Sequence, residues 1–176
     1  MRFNPKILIL ITVIIILSAS GLYLFNSKQT NQIGNTLPIQ NSSSTTSESV
    51  DYKASFAIYT NGTFRIFTAP MYQNLSADVF IEVSNPNIVN VRKSNITWRD
   101  FFATLPFSLN ETCLTTGTKQ TFCNNEQSTL QFYLNGERNQ KALDQTINPG
   151  DKLLVTYEQE NSSNIKQQLQ GVPNPE

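Results

Sequence analysis

The stretch NPGDKLLVTYE (148–158) places a turn directly before an apolar strand. Asn, Pro, Gly and Asp are the residues that tight turns favour, because they adopt or tolerate the backbone angles that turns need. The run that follows, residues 152–157, is rich in strand-forming side chains and predicts a strand. This is the last of the strands that the sequence predicts. The fold class follows from the order of these strands and of the one predicted helix along the chain.

The residues before it also predict strands. TLQFYLNGE (129–137) is a strand that runs into the turn Asn135-Gly136, and KALDQTI (141–147) predicts a further short strand. Near the start of the domain, FAIYTNGTFRIFT (56–68) has two strand-forming runs around Asn61-Gly62, which predicts a hairpin with a type I′ turn. Apolar residues alternate with more polar ones in both runs, which predicts that each strand buries one face: Phe56, Ile58, Phe64 and Ile66.

Two strands and one helix fill the middle of the domain. DVFIEVS (78–84) predicts a strand that ends at Asn85-Pro86, and IVNVR (88–92) predicts a shorter one. TWRDFFATLPF (97–107) predicts a short helix, with Thr97 as its N-cap and Asp100 in a capping-box position. The apolar residues of this helix recur at helical spacing and predict one buried face: Trp98, Phe101, Phe102 and Leu105.

The order of elements is therefore β-β-β(-β)-α-loop-β-β-β. Such an order predicts an α+β fold, in which one mixed β-sheet packs against a single short helix.

The region from TWRDFF to INPGDKLLVTYE (97–158) resembles a family of uncharacterised archaeal and bacterial proteins that are membrane-anchored and extracytoplasmic. Its closing strand is similar to that of β-grasp domains, including domains like the transcobalamin C-terminus. The matching positions are Asp100, Phe101, Phe102, Cys113, Tyr133, Asn135, Gly136, Gly150, Asp151 and Tyr157. The resemblance implies a β-grasp-like fold and export, and it implies no activity. Where those relatives often carry histidines, this chain has MYQNLSA (71–77).

The N-terminus predicts a membrane anchor. Residues 7–25 carry no charge, and as a helix they would span about 28 Å, close to the thickness of a bilayer core. Arg2 and Lys6 precede this run, so the positive-inside rule places the N-terminus in the cytoplasm and the domain outside. A cleaved signal sequence is the alternative, with Ser18-Ala19-Ser20 as a cleavage-like site. Both alternatives export the domain.

The composition divides the rest of the chain into three parts. Residues 26–51 are polar and Ser/Thr-rich and predict a disordered stalk. Residues 52–160 predict the folded extracytoplasmic domain. Residues 161–176 are polar and predict a disordered tail.

Cys113 and Cys123 are the only cysteines. Two thiolates are too few for a structural zinc site, and their spacing is not that of a Cys-x-x-Cys redox pair. In an exported domain they predict a disulfide bond, with free thiols as the alternative. A bond that closes so short a loop stabilises a domain by roughly 3 kcal/mol in the chain-entropy model.

Six Asn-x-Ser/Thr motifs predict glycosylation if the source organism modifies exported proteins. Their asparagines are Asn41, Asn61, Asn74, Asn95, Asn110 and Asn161.

The composition also excludes several function classes. The chain of 176 residues has no histidine, which excludes Ser-His and Cys-His catalysis and histidine-ligated metals. Thirteen basic side chains are balanced by thirteen acidic ones, so no basic excess indicates a nucleic-acid partner. We therefore expect no catalytic residues, no cofactor and no metal.

The leading hypothesis is a membrane-anchored binding or interaction module that is not an enzyme. Its partner would be an unknown extracytoplasmic protein, for which an open sheet edge would favour binding by strand addition. One alternative is capture of a small ligand in an apolar pocket near Trp98, Phe107 and Tyr133. The other is an accessory subunit of a membrane complex, held by the N-terminal helix.

Overall fold

A computed structural model describes residues 48–159 and 163–176. The predicted anchor or signal (1–25), nearly all of the predicted stalk, and the motifs at Asn41 and Asn161 lie outside these residues. Within the described ranges, no helix has both the length and the apolar character needed to cross a membrane. The fold is α+β, as predicted, and it is mostly β-sheet.

Ten strands and two helices make up the described domain. The helices are α1 (Trp98–Thr104) and α2 (Asn164–Gln170), and two short 3-10 turns lie at Pro70–Tyr72 and Ala142–Asp144. The strands are β1 (Ser49–Thr60), β2 (Thr63–Phe64), β3 (Val79–Glu82), β4 (Asn85–Lys93), β5 (Ser108–Leu109), β6 (Cys113–Thr115), β7 (Thr121–Cys123), β8 (Thr129–Leu134), β9 (Glu137–Arg138) and β10 (Lys152–Glu158).

The large sheet has seven strands in the order β3-β4-β1-β10-β8-β9, with β2 paired to β1. Strands β1 and β10 are parallel and pair Phe56 with Leu153 and Ile58 with Val155. The other pairs in this sheet are antiparallel, so the prediction of a mixed sheet is confirmed. A parallel pair needs a long crossover connection, and the chain between these two strands includes α1.

Helix α1 begins as the sequence predicts. Thr97 Oγ1 accepts a hydrogen bond from Asp100 N, and the Asp100 carboxylate accepts one from Thr97 N, which is a full capping box. Trp98, Phe101 and Phe102 are buried, and the rings of Phe101 and Phe102 pack against Phe56 in the central strand β1. The main core therefore lies between the large sheet and α1.

Replacing Thr97 by alanine removes the N-cap oxygen, and we expect the free energy of unfolding to fall by about 1 kcal/mol. Urea denaturation of unglycosylated protein measures the change. Thr97→Ser is the matched control, because it keeps both the cap oxygen and the Asn-x-Ser/Thr motif at Asn95. An equal loss in the alanine and serine variants would contradict a role for the cap.

Both predicted Asn-Gly turns are confirmed. Asn61 and Gly62 have φ values of 51° and 74°, and Asn135 and Gly136 have 54° and 88°. These positive values are the ones that a two-residue hairpin turn needs, and glycine adopts them without strain.

The second arm of the first hairpin is shorter than predicted. Strand β2 pairs only with Tyr59 and Thr60. The burial predicted for the second arm is wrong, because Phe64 is 38% exposed and Ile66, which follows β2, is 66% exposed. Strand β4 already pairs with β1 up to Ser55, so little of β1 is left for β2 to pair with.

Three local predictions are wrong. The strand predicted at residues 141–147 is absent, and the 3-10 turn Ala142–Asp144 lies there instead. The Asn139 side chain accepts a hydrogen bond from Lys141 N and so starts this turn. Strand β4 begins at Asn85 and includes Pro86, which the sequence assigned to the end of the preceding strand. The cysteine region, which we expected to be a loop, forms a second small antiparallel sheet of β5, β6 and β7.

The predictions of a single helix and of a disordered tail are also wrong, because residues 164–170 form the second helix, α2. Ile165 and Val172 are buried against Ala57 and Leu154 on the face of the sheet that points away from α1. The segment after α2 continues along that face, where Ser55 Oγ donates to the backbone oxygen of Pro173 at 2.7 Å. Both faces of the central strands are therefore covered.

Candidate binding groove

Cys113 and Cys123 form the predicted disulfide bond. The two residues lie directly opposite each other in the antiparallel pair β6–β7, so the bond closes a hairpin. We call residues 113–123 the disulfide hairpin. Its turn, residues 116–120, is held by hydrogen bonds from Lys119 N to Thr116 O and from Gln120 N to Thr116 Oγ1.

The disulfide hairpin is fixed to the large sheet at two points. Leu114 is buried in the main core. At the other point, the hydroxyl of Tyr157 donates to the backbone oxygen of Cys123 at 3.0 Å, and the ring of Tyr157 packs against Phe122. The position of the hairpin turn is therefore set by the core and by β10.

An open groove of about 290 Å³ lies between this turn and the segment that follows β2. Its polar lining consists of Arg65, the Tyr72 hydroxyl and residues 116–118 of the disulfide hairpin. Most of the remaining lining is aliphatic or aromatic: Ile58, Phe64, Ile66, Phe67, Phe107 and Leu114. We call this feature the apolar groove.

Exposed apolar side chains surround the groove. Phe64 and Ile66 lie on one side, and the half-exposed Met71 comes close to Gly117 on the other. A Cβ atom on Gly117 would lie 3.0 Å from the Tyr72 hydroxyl and 3.4 Å from Met71 Cε. The absence of a side chain at Gly117 therefore allows the 3-10 turn Pro70–Tyr72 to approach the hairpin closely.

The one charged residue that lines the groove has its own partners. Arg65 Nε donates to Thr60 Oγ1 at 2.6 Å, and its guanidinium lies 5.1 Å from the centre of the Phe122 ring. A cation over an aromatic face is attracted by the ring quadrupole. Arg65 therefore connects the segment after β2 to the disulfide hairpin and holds the two sides of the groove together.

The apolar pocket predicted near Trp98, Phe107 and Tyr133 is wrong in two of its three residues. Only Phe107 lines the groove. Trp98 is fully buried in the main core, and Tyr133 packs in the cluster beneath α2, where its hydroxyl donates to Gln131 Oε1 at 3.0 Å.

Ile66, which lines the groove, and Met71, which lies close to Gly117 beside it, were not predicted as site residues. The available signal was the run FRIFTAPMY (64–72), in which apolar residues continue beyond the predicted hairpin arm to Met71 and Tyr72.

The outer edges of the large sheet are partly occupied by the chain itself. At the β3 edge, Asn74 N donates to Ile81 O. At the β8 edge, Leu130 N donates to Asn124 Oδ1 at 2.6 Å, and Leu130 O accepts from Gln140 Nε2 at 3.0 Å. Backbone groups that already have partners are not free to pair with an added strand.

The four motif asparagines within the described ranges are exposed: Asn61, Asn74, Asn95 and Asn110. The first three have positive φ values, which places them in turns. Asn110 Oδ1 accepts hydrogen bonds from the backbone of Thr112 and Cys113 and starts the disulfide hairpin. Glycosylation at these positions stays a prediction.

Two further charged or polar networks lie outside the groove lining. Arg99 pairs with Glu111 and Asp144, and its hydrogen bond lowers the pKa of the Glu111 carboxyl. The buried Asp151 accepts hydrogen bonds from Asn135 Nδ2 and from Asn148 N. It therefore joins the turn that follows β8 to the turn that precedes β10. Among residues 48–159 and 163–176, no group of three or more acidic or cysteine side chains is placed to hold a metal ion.

Comparisons of the chain with protein-family models, curated proteins and solved structures find no match.

Proposed function

We propose that this chain is a membrane-tethered, extracytoplasmic binding module that holds an apolar group of a partner protein in the apolar groove. The observation that carries the proposal is the groove itself, with Phe64, Ile66 and Met71 exposed around it. Exposed apolar side chains grouped around a concave surface are typical of interaction sites, because a partner removes them from water.

The size of the groove favours one anchoring side chain of a partner. At about 290 Å³ it lies just below the range of roughly 300–1,000 Å³ that is typical of small-molecule sites. A single aromatic or branched side chain in such a site contributes much of the energy of a protein interface. The occupied backbone groups at the β3 and β8 edges favour the groove over strand addition.

Two features support the proposed compartment. The uncharged run at residues 7–25 supports a tether or an export signal, and the disulfide supports an oxidising environment. The exposed positions of four motif asparagines make a glycoprotein part of the same proposal. The resemblance to extracytoplasmic proteins with a β-grasp-like region supports the same location, and the proposed module has no catalytic activity.

The second candidate is capture of a free small ligand, which the buried side chains in the groove lining, Ile58, Phe67 and Leu114, favour. The two candidates predict different ligands. A partner protein presents a side chain attached to backbone, whereas a free ligand needs no backbone groups.

Saturation-transfer NMR with N-acetyl-phenylalanine amide tests the proposal on the full-length protein in nanodiscs. We expect Ile66→Glu to weaken binding at least 5-fold, because it places a charge beside an apolar site. The matched control is Val83→Glu, since Val83 is 61% exposed in the β3–β4 turn and does not line the groove.

Equal binding by the two variants would contradict a site in the groove. Indole serves as the probe without backbone groups. If indole binds more tightly than the capped amino acid, the result favours capture of a free small ligand as the function over binding of a partner protein.

A further inference from the structure

A second cavity lies on the face of the sheet that α2 covers. It has a volume of about 230 Å³ and lies between the end of the first hairpin and α2. Tyr59, Gly62, Asn164, Gln167 and Gln168 line it. In contrast to the apolar groove, its lining consists mostly of amide and hydroxyl groups. We call it the amide pocket.

A buried carboxyl group lies next to Gly62 and Gln168, two residues that line the amide pocket. Glu158, the last residue of β10, is only 8% exposed, and its Oε1 accepts a hydrogen bond from Gln168 Nε2 at 3.0 Å. A Cβ atom on Gly62, which lines the pocket, would lie 3.7 Å from the same Oε1. Within residues 48–159 and 163–176, no lysine or arginine forms an ion pair with Glu158.

Gln168 provides a second acceptor. It is 4% exposed, and because its Nε2 is bonded to Glu158, its Oε1 is the atom left over. This buried oxygen has no hydrogen-bond donor among the described residues. An unpaired buried amide oxygen costs free energy, so it marks a place where a donor would be favourable.

Tyr59 provides a third polar group. Gly171 leaves room for its hydroxyl, since a Cβ atom there would lie 2.6 Å from the Tyr59 oxygen. Burial raises the pKa of this hydroxyl, so it remains neutral. A neutral hydroxyl oxygen can accept a hydrogen bond from a donor in the pocket.

We propose that the amide pocket binds a primary ammonium group, with Glu158, Gln168 and Tyr59 as its acceptors. An ammonium group has three N–H donors and one positive charge. The three acceptor residues equal the three donors in number, and the Glu158 carboxylate matches the charge. A divalent metal ion is a poorer match, because a single carboxylate among neutral oxygens leaves half of its charge unbalanced.

This site is separate from the apolar groove, since the groove opens beside the main core and the amide pocket lies beneath α2. Neither proposal depends on the other.

The test is a titration of the isotope-labelled full-length protein in detergent micelles with methylammonium chloride, followed by two-dimensional amide NMR. We expect saturable shifts in the side-chain amide of Gln168 and in the backbone amide of Gly62. Tetramethylammonium chloride at equal ionic strength should leave both unchanged, because it has the charge but no N–H donor.

Two variants locate the acceptor. We expect Glu158→Gln to weaken methylammonium binding at least 10-fold. Glu137→Gln is the matched control, because it makes the same chemical change at an exposed position in β9. N-acetyl-lysine methylamide distinguishes the sources: tighter binding than methylammonium indicates a lysine side chain, and weaker binding indicates a free amine.

Three results would overturn the proposal. The first is the absence of any saturable shift with methylammonium. The second is the same shifts with tetramethylammonium or with potassium chloride. The third is unchanged binding by the Glu158→Gln variant.

Discussion

Replacing Phe56 by alanine is expected to lower the free energy of unfolding by about 3–5 kcal/mol. Phe56 is fully buried in β1, the strand that joins the two halves of the large sheet. Its ring centre lies 5.2 Å from that of Phe67, 5.3 Å from that of Phe101 and 5.6 Å from that of Phe102. The substitution leaves a cavity among three rings, and close-packed side chains fill such a cavity only in part.

Urea denaturation followed by tryptophan fluorescence measures this loss, since the single tryptophan, Trp98, lies in the same core. Phe64→Ala is the matched control. Phe64 is also aromatic and lies in the hairpin partner of β1, but it is 38% exposed, so we expect a loss below about 1 kcal/mol. Losses of equal size would show that the aromatic cluster is not the centre of stability.

Replacing both Cys113 and Cys123 by serine is expected to lower the free energy of unfolding by about 2–4 kcal/mol. The same double variant should also weaken binding in the apolar groove. The bond holds β6 and β7 together at the open end of the disulfide hairpin, and residues 116–118 of that hairpin line the groove. Without the bond, the turn is held by hydrogen bonds alone.

Urea denaturation and the capped-phenylalanine titration measure the two effects on one sample. The control is Thr115→Ser with Thr121→Ser. These residues are paired across the same hairpin with their hydroxyls 3.2 Å apart, and serine keeps both hydroxyls. If the cysteine variant binds the probe as the parent does, the disulfide has no part in shaping the groove.

The sequence predicted those elements whose signals are local. The turns at Asn61-Gly62 and Asn135-Gly136 depend on backbone angles that these residues favour, whatever the rest of the chain does. The capping box of Thr97 and Asp100 is likewise complete within one helical turn. The disulfide was predicted from two cysteines in a chain that we expected to be exported, because neither cysteine had another candidate partner.

The errors have non-local causes. Strand β2 stops after two residues because β4 pairs with most of the same side of β1, which no property of FRIF (64–67) reveals. For α2 a weak signal was present, since Ile165, Leu169 and Val172 recur at i, i+4 and i+7. So short a helix is not stable alone, and it forms here because the sheet offers Ala57 and Leu154 to cover.

The apolar groove could not be predicted for the same reason. Its lining comes from β1, from the segment after β2, from the residues after α1 and from the disulfide hairpin. Only the large sheet brings these segments together. The sequence indicated an apolar site and named Phe107, but it placed Trp98 and Tyr133 beside it. Trp98 is buried inside the main core, and Tyr133 packs in the cluster on the opposite face of the sheet.

Photocrosslinking from position 66 in the membrane of the producing cell tests the central claim most directly, with position 83 as the matched exposed control. A benzoylphenylalanine at position 66 should give one discrete adduct with a partner protein, and the same group at position 83 should give none. Equal adducts at both positions, or none at position 66, would contradict the claim that the apolar groove is the partner-binding surface of this domain.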